Sequence, residues 1–166
     1  SFVELFSAAK CLASRYRPVG RRLAIVTNGG GPGVLAADWV NEIRLELGRL
    51  SPPSAEALSK KLPALASLTD LIELSEEAGP EHFSAAIEAA GADAGIDGVL
   101  VIFSPRAGVD GALVAQALID LKQSIGKPLL SCWMGDDSVA RARVLLNEAE
   151  IPGFRTPEAA VGAFGN

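Results

Sequence analysis

The sequence predicts a three-layer α/β domain: a parallel sheet of five strands with helices on both faces, preceded by a lead-in helix. Three observations carry this. Short apolar runs alternate along the chain with longer stretches of helical spacing. The runs are apolar at consecutive positions, as in "GVLVIFSP" (98–105), where a half-buried strand would alternate; strands covered on both faces read this way, and they belong to parallel sheets under two helical layers. Finally, 49% of the 166 residues are hydrophobic but only 5% are aromatic, enough for a full core built from Ala, Leu, Val and Ile, and the length suits one domain.

Residues 2–15 place Phe2, Leu5, Phe6, Ala9 and Leu12 at helical spacing. They predict the lead-in helix, which "RPVGRR" ends; 1–20 is therefore lead-in and linker, and 21–166 the domain. Leu23 to Thr27 is an apolar, β-branched run bounded by Gly20 and Asn28, the pattern of a buried strand. A helix is expected from Val34 to Leu47, starting near Gly33, and a short strand at 47–50. "SPPSAEALSKKLP" opens with Ser and Pro, the signature of a capped helix start. Residues 64–80 are the least regular part. Helices at 81–94, 110–126 and 137–150 alternate with strands at 98–105, 128–134 and 151–155. "TPEAAVGAF" (156–164) begins with a Thr cap and a proline at the first helical position. Five strands linked by right-handed crossovers predict a flavodoxin-like fold. The chain shows no internal repeat and no low-complexity tract.

Composition excludes several functions. A net charge of −5 argues against a nucleic-acid binder, which would carry a basic face. No run of 18 apolar residues is present, so no membrane-spanning helix is expected. The start, "SFVELFSAAK", lacks the shape of a signal peptide. It has no initiator Met, and the chain stops at "AVGAFGN" with no tail, so it reads as a piece of a longer protein. Cys11 and Cys132 lie in apolar contexts; buried thiols and a cytoplasmic location follow.

The most informative stretch is "AIVTNGGGPGVLAAD" (24–38). In open α/β sheets, ligands bind at the carboxyl ends of the strands, and this loop lies at the end of the first. Glycines bring backbone N–H groups close to a ligand, and a helix start adds unpaired N–H groups and a positive dipole end. A phosphate would be held there without a charged side chain, with Asn28 as an added donor. Neither standard phosphate loop fits. The stretch lacks the Gly-Lys-Ser/Thr of a P-loop and the G-x-G-x-x-G spacing. Anion binding and a purely structural turn both remain open, although one or two glycines suffice for a turn. An FMN-binding enzyme is a weaker reading, since its phosphate loop is usually rich in Ser and Thr and no hydroxyl follows Thr27.

The stretch "RRLAIVTNGGGPGVLAAD" resembles the ADP-forming acyl-CoA synthetases, and the protein-lysine acetyltransferases that fuse such a region to an acetyltransferase domain. "LSKKLPALAS", "DGVLVIFSP", "KPLLSCWMG" and "IPGFRTPEAAVGAF" resemble further family segments in the same order, and "ELFSAAKCLA" is similar to the helix leading into the domain. The resemblance implies a carboxy-terminal flavodoxin-like domain like that of the succinyl-CoA synthetase β subunit. There the glycine loop binds the phosphohistidine of a neighbouring domain. It implies that task for Asn28, Gly29, Gly30, Gly31, Gly33 and Val34. It further implies partner domains that bind CoA, carry the phosphohistidine and form an ATP-grasp, and ATP/ADP, Mg and CoA as cofactors of the full-length parent, with none of them, and no catalytic residue, in this chain. Oligomerisation is compatible with it. "DLIEL" (70–74) departs from the family's Asn-Pro-Val/Ile-Asp-Leu: an acid, Asp70, stands where the family has Asn, and Glu73 where it has Asp. This favours a degenerate module, structural or regulatory, as the alternative.

Candidate cleft residues beside the loop are Asp70, Glu73, Ser104 and Arg106. Ser104 is expected as a wall, since no His or Lys base accompanies it. His82 is expected as a solvated surface residue. Glu73, Glu76, Glu77 and Glu81 are expected to form a solvated acidic face, Asp136 and Asp137 to make a turn and helix cap, and Cys132 and Trp133 to pack in the core; no metal site is expected.

Overall fold

A computed structural model describes residues 20–166; the lead-in helix expected at 2–15, and Cys11 with it, lie outside the described residues. The strands are β1 (Arg22–Thr27), β2 (Glu46–Leu47), β3 (Ile72–Glu73), β4 (Gly98–Phe103), β5 (Leu129–Trp133) and β6 (Gly153–Phe154). The helices are α1 (Gly30–Glu42), α2 (Pro52–Ser59), α3 (Pro80–Ala92), α4 (Gly111–Leu121), α5 (Ala140–Glu148) and α6 (Pro157–Gly165). All strand pairs are parallel, in the order β2-β1-β4-β5-β6, with β3 also paired to β1.

The expected five strands are therefore six. β2 pairs with Arg22 and Leu23 of β1, while β3 pairs with Val26 and Thr27. β4 occupies the other flank of β1, so β2 and β3 share one edge, end to end. Counting them as one position gives the 2-1-3-4-5 order of flavodoxin-like sheets. The extra strand lies in the 64–80 stretch expected to be irregular.

Consecutive apolar residues in β1, β4 and β5 separate into two cores. Ala24, Val26, Val99, Val101, Phe103, Leu129 and Trp133 join α3, α4 and α5 on one side. Leu23, Ile25, Leu100, Ile102, Leu130 and Cys132 join α1 and α6 on the other. Few aromatics are needed: Phe103 stacks on Trp133 at 5.4 Å between ring centres, and the Trp133 indole N–H donates to the Gly111 carbonyl at 3.0 Å. The Cys132 thiol is wholly buried, and burial pushes it up to about 12; it is a core side chain, as expected.

The amino-terminal ends of β1 and β4 are joined by Asp97. Its carboxylate accepts from the Arg22 backbone N–H at 3.0 Å, from Nε at 2.9 Å and from Nη2 at 3.1 Å. These Arg22 bonds hold the Asp97 carboxyl below its ordinary range. Nearby, burial alone would raise Asp93, but the amide N–H groups of Ser51 and Gly95 outweigh it and hold that carboxyl low as well.

A carboxyl lower in the folded than in the unfolded chain stabilises the fold above the ordinary carboxylate range and ceases to do so as pH falls through the folded value. Asp97→Ala is expected to cost about 1 kcal/mol at neutral pH, a modest figure because the Arg22 side chain is partly solvated. In urea titrations the gap to wild type should close below about pH 4. A gap that stayed constant to low pH would contradict the assignment.

Candidate functional site

The carboxyl end of β1 is built by two hydroxyl and amide side chains. Thr27 Oγ1 accepts the Gly29 N–H at 3.1 Å and donates to the Gly29 carbonyl at 3.0 Å. Asn28, 2% exposed, uses its side-chain amide to bridge to β4: its oxygen accepts the Ser104 N–H at 2.8 Å, and its NH₂ donates to the Ser104 carbonyl at 2.9 Å. This pair fixes how the chain leaves both strands. Gly29 then stands as the N-cap of α1, with extended backbone. A Cβ on Gly29 would lie 2.7 Å from Ser104 Oγ and 3.1 Å from Ser104 Cβ, so a side chain there would force Ser104 to shift.

The helix begins at Gly30, four residues before the expected Val34, so most of the glycine loop is the first helical turn. Pro32 fits because that turn needs no donor from it. The earlier start narrows the anion contacts. The Gly29 N–H is taken by Thr27. Pro32 has none. Gly33 N–H makes a long 3.4 Å bond to the Gly29 carbonyl. Val34 lies beyond the first turn, where N–H groups bond within the helix, and its side chain is exposed. The amides of Gly30 and Gly31 have no acceptor among the described residues. Asn28 holds strands together with the groups that were expected to face a ligand.

The glycines differ in what surrounds them. A Cβ on Gly33 would meet Leu71 Cδ1 and Thr27 Cγ2 at 3.0 Å; one on Gly30 would meet Glu73 Oε1 at 3.0 Å; one on Gly31 would meet nothing within 4 Å. Gly31 also lacks a positive φ. Neither packing nor backbone conformation explains a glycine there, in a position where it is a poor helix former.

A cleft of about 130 Å³ opens at Gly30, lined by Asn28, Glu73, Ser75, Glu76 and Arg106, with Leu65 80% exposed beside it. Arg106 follows β4 in a tight turn that closes through Val109 and Gly108 (φ 80°). Its Nη1 donates to the Pro105 carbonyl at 3.0 Å, and its Nε lies 3.7 Å from Glu76 Oε1, shielded from solvent without a hydrogen-bond acceptor. Ser75, just past β3, has φ 80°, a strained conformation for a residue with a side chain and one concentrated at functional sites.

The candidate cleft residues thus divide. Glu73 and Arg106 meet at the loop. Ser104, buried, supports it through its backbone bonds to Asn28. Asp70 stands apart: it is 68% exposed, pairs with Arg49 at 3.0 Å, and lines an adjacent hollow with Val34 and Leu71. The acid that faces the glycine turn is Glu73. His82 corrects another expectation, since its Nδ1 accepts the Gly79 N–H at 2.9 Å and closes the first turn of α3. Asp136 precedes a short 3₁₀ turn without a side-chain cap bond. Among the described residues no three His, Cys, Asp or Glu side chains converge as a metal cage. Among them, too, no helix is long and apolar enough to cross a membrane.

Sequence reasoning missed Thr27 and Ser75, and placed Glu76 on the solvated face, where its side chain is 79% exposed, without its approach to Arg106. Thr27 was legible in principle, because a Thr two residues before a helical glycine turn is a local capping signal.

Comparison with known proteins places this geometry. No protein-family model matches the chain. It is 34% identical over 163 residues to acetate–CoA ligase (ADP-forming) I of Archaeoglobus fulgidus, covering 98% of this chain and 23% of that protein. It is 30% identical over 159 residues to subunit alpha of acetate–CoA ligase (ADP-forming) II of Pyrococcus furiosus, covering 93% of this chain and 35% of that one. Among solved structures, a protein of Pyrococcus horikoshii OT3 superposes with a TM-score of 0.93 at 28% identity, over 99% of this chain and 39% of that chain. A dinucleotide-forming acetyl-coenzyme A synthetase 1 of Candidatus Korarchaeum cryptofilum, solved with phosphate and ADP, superposes at 0.90 and 28%, over 99% and 36%. The chain therefore spans about a quarter to a third of its curated relatives. Over nearly its whole length it is similar to one segment of these ADP-forming ligases, as the glycine turn and the segments after it indicated.

Asn28→Ala removes the partner of two buried backbone groups and is expected to cost about 2–4 kcal/mol, read as a fall in the urea midpoint. Gly31→Ala is expected to be neutral or to stabilise by up to about 1 kcal/mol. A large loss in Gly31→Ala would show that the space above it is not open.

Proposed function

We propose that the chain is the phosphoryl-receiving flavodoxin-like domain of an ADP-forming acyl-CoA synthetase-like protein. Its first helical turn receives a phosphoryl group brought by another domain, as phosphohistidine. The observation that carries this reading is the pair of amides at Gly30 and Gly31, with open space over Gly31 and Arg106 in the adjoining cleft. Two N–H groups, the dipole of α1 and one guanidinium form an anion site of the kind helix starts provide. The domain supplies no nucleophile or base. It stabilises the negative charge of a group whose covalent chemistry happens on another domain.

In this reading the parent uses ATP and CoA through domains beyond this chain, either as a ligase or as an acetyltransferase with a synthetase-like region, in the cytoplasm. The names of the relatives favour the ligase.

Glu73 favours a second reading. Its carboxylate stands beside Gly30, where it repels an incoming phosphoryl group, and Glu76 shares Arg106. On that reading the domain keeps the shape of the cradle and serves assembly or regulation.

Titration with inorganic phosphate, followed by the backbone amide signals of Gly30 and Gly31, separates the two. The first reading expects shifts confined to this turn, strengthened several-fold by Glu73→Gln and lost in Arg106→Ala. No shift in either wild type or Glu73→Gln would leave the second reading standing.

A further inference from the structure

Ser104 carries a hydroxyl that the fold leaves unused. The residue is 6% exposed. Its backbone N–H and carbonyl are taken by Asn28, but its Oγ makes no hydrogen bond among the described residues. A buried hydroxyl without a partner is uncommon, because it loses water and gains no acceptor in return.

The position of this hydroxyl says what it serves. Ser104 is the first residue after β4, opposite the start of α1. A Cβ on Gly29 would lie 2.7 Å from Ser104 Oγ and 3.1 Å from Arg106 Nη2, so both groups stand over the residue that caps α1. Nη2 also makes no hydrogen bond among the described residues: the bond to the Pro105 carbonyl uses Nη1, and Nε faces Glu76. Of these three unbonded atoms only Nε is sealed from solvent. The next two residues are Gly30 and Gly31, whose amides have no acceptor among the described residues. Donors from the end of β4 and from the start of α1 therefore gather at one place.

We infer that the Ser104 hydroxyl is a phosphoryl-binding group, donating to one oxygen of the group received at the glycine turn, and that it makes the turn selective for a tetrahedral oxyanion. This rests on the reading of the turn proposed above. The three terminal oxygens of a phosphoryl group point in three directions. The Gly30 and Gly31 amides serve the side that faces α1, and Ser104 with Arg106 Nη2 serves the side that faces β4. A planar carboxylate presents two oxygens, and the two amides suffice for it. Net charge cannot supply this selectivity, since the cleft holds one cation, Arg106, and two acids, Glu73 and Glu76. Directed neutral donors supply it instead, each hydrogen bond to an ionised acceptor being stronger than one between neutral groups.

The test titrates the 166-residue chain, wild type and Ser104→Ala, with inorganic phosphate and separately with formate. It follows the Gly30 and Gly31 amide signals and, in the wild type, the Ser104 side-chain carbon. Ser104→Ala keeps the backbone bonds to Asn28 and is expected to leave the rest of the spectrum in place. It should weaken phosphate about tenfold, the worth of one hydrogen bond to a charged group, and formate by less than about twofold. In the wild type the Ser104 carbon signal should move with phosphate and stay in place with formate. Phosphate shifts at Gly30 and Gly31 that Ser104→Ala leaves undiminished would overturn this inference and spare the reading of the turn. An equal loss for both anions would mark a merely structural role and overturn it too. Absence of shifts in both wild type and Glu73→Gln would remove the reading of the turn and this inference with it.

Discussion

The bond pair between the Asn28 side chain and the Ser104 backbone governs the functional end of this domain. β1 and β4 are neighbours along their whole length, but their carboxyl ends must diverge, one into α1 and the other into the turn that carries Arg106. A buried side-chain amide donates and accepts through separate atoms, and so satisfies the backbone N–H and the carbonyl of Ser104 together. It fixes the distance between the helix start and the arginine. Gly29 suits it, because a Cβ there would crowd the Ser104 side chain. The opposite end of the same two strands is held by charge, through Arg22 and Asp97. The central pair is thus pinned at one end by a neutral network that pH leaves alone and at the other by an ion pair.

Much of this was legible in the sequence. β4 was read correctly because all six of its residues are buried, which leaves no alternation to confuse. The order of elements and the two-sided cover followed from the same pattern in β1 and β5. What failed was where local signals compete. Glycine and proline mark a loop in any propensity scale, so α1 was placed to begin after them; the observed helix uses the absence of a donor on Pro32 and the smallness of glycine in its first turn. β3 escaped because two residues beside a hairpin-like bridge of Ser67 to Glu73 give no periodicity at all.

The candidate site was legible as a place and less so as a set of contacts. The glycine segment pointed to the strand end and to the relatives that the chain resembles. Which of its amides face outward depends on Thr27 and on the helix register, and these are settled by geometry. Asp70 and Glu73 are three residues apart, and no single sequence says which faces the loop. Arg49, twenty-one positions earlier in the chain, draws Asp70 away, a long-range pairing with no local trace. His82 likewise reads as a surface residue until its Nδ1 is seen to accept a helix-start amide.

The division of one sheet edge between β2 and β3 has a consequence for how copies of this fold coexist at high concentration. A continuous, flat edge strand offers a row of unpaired backbone groups on which another chain can build, and this is a route to aggregation. Here that edge consists of two pieces of two residues each, separated in the chain by α2 and a turn. Neither piece is long enough to template a foreign strand. The same break that hid β3 from sequence reading protects the sheet from growing past its own boundary.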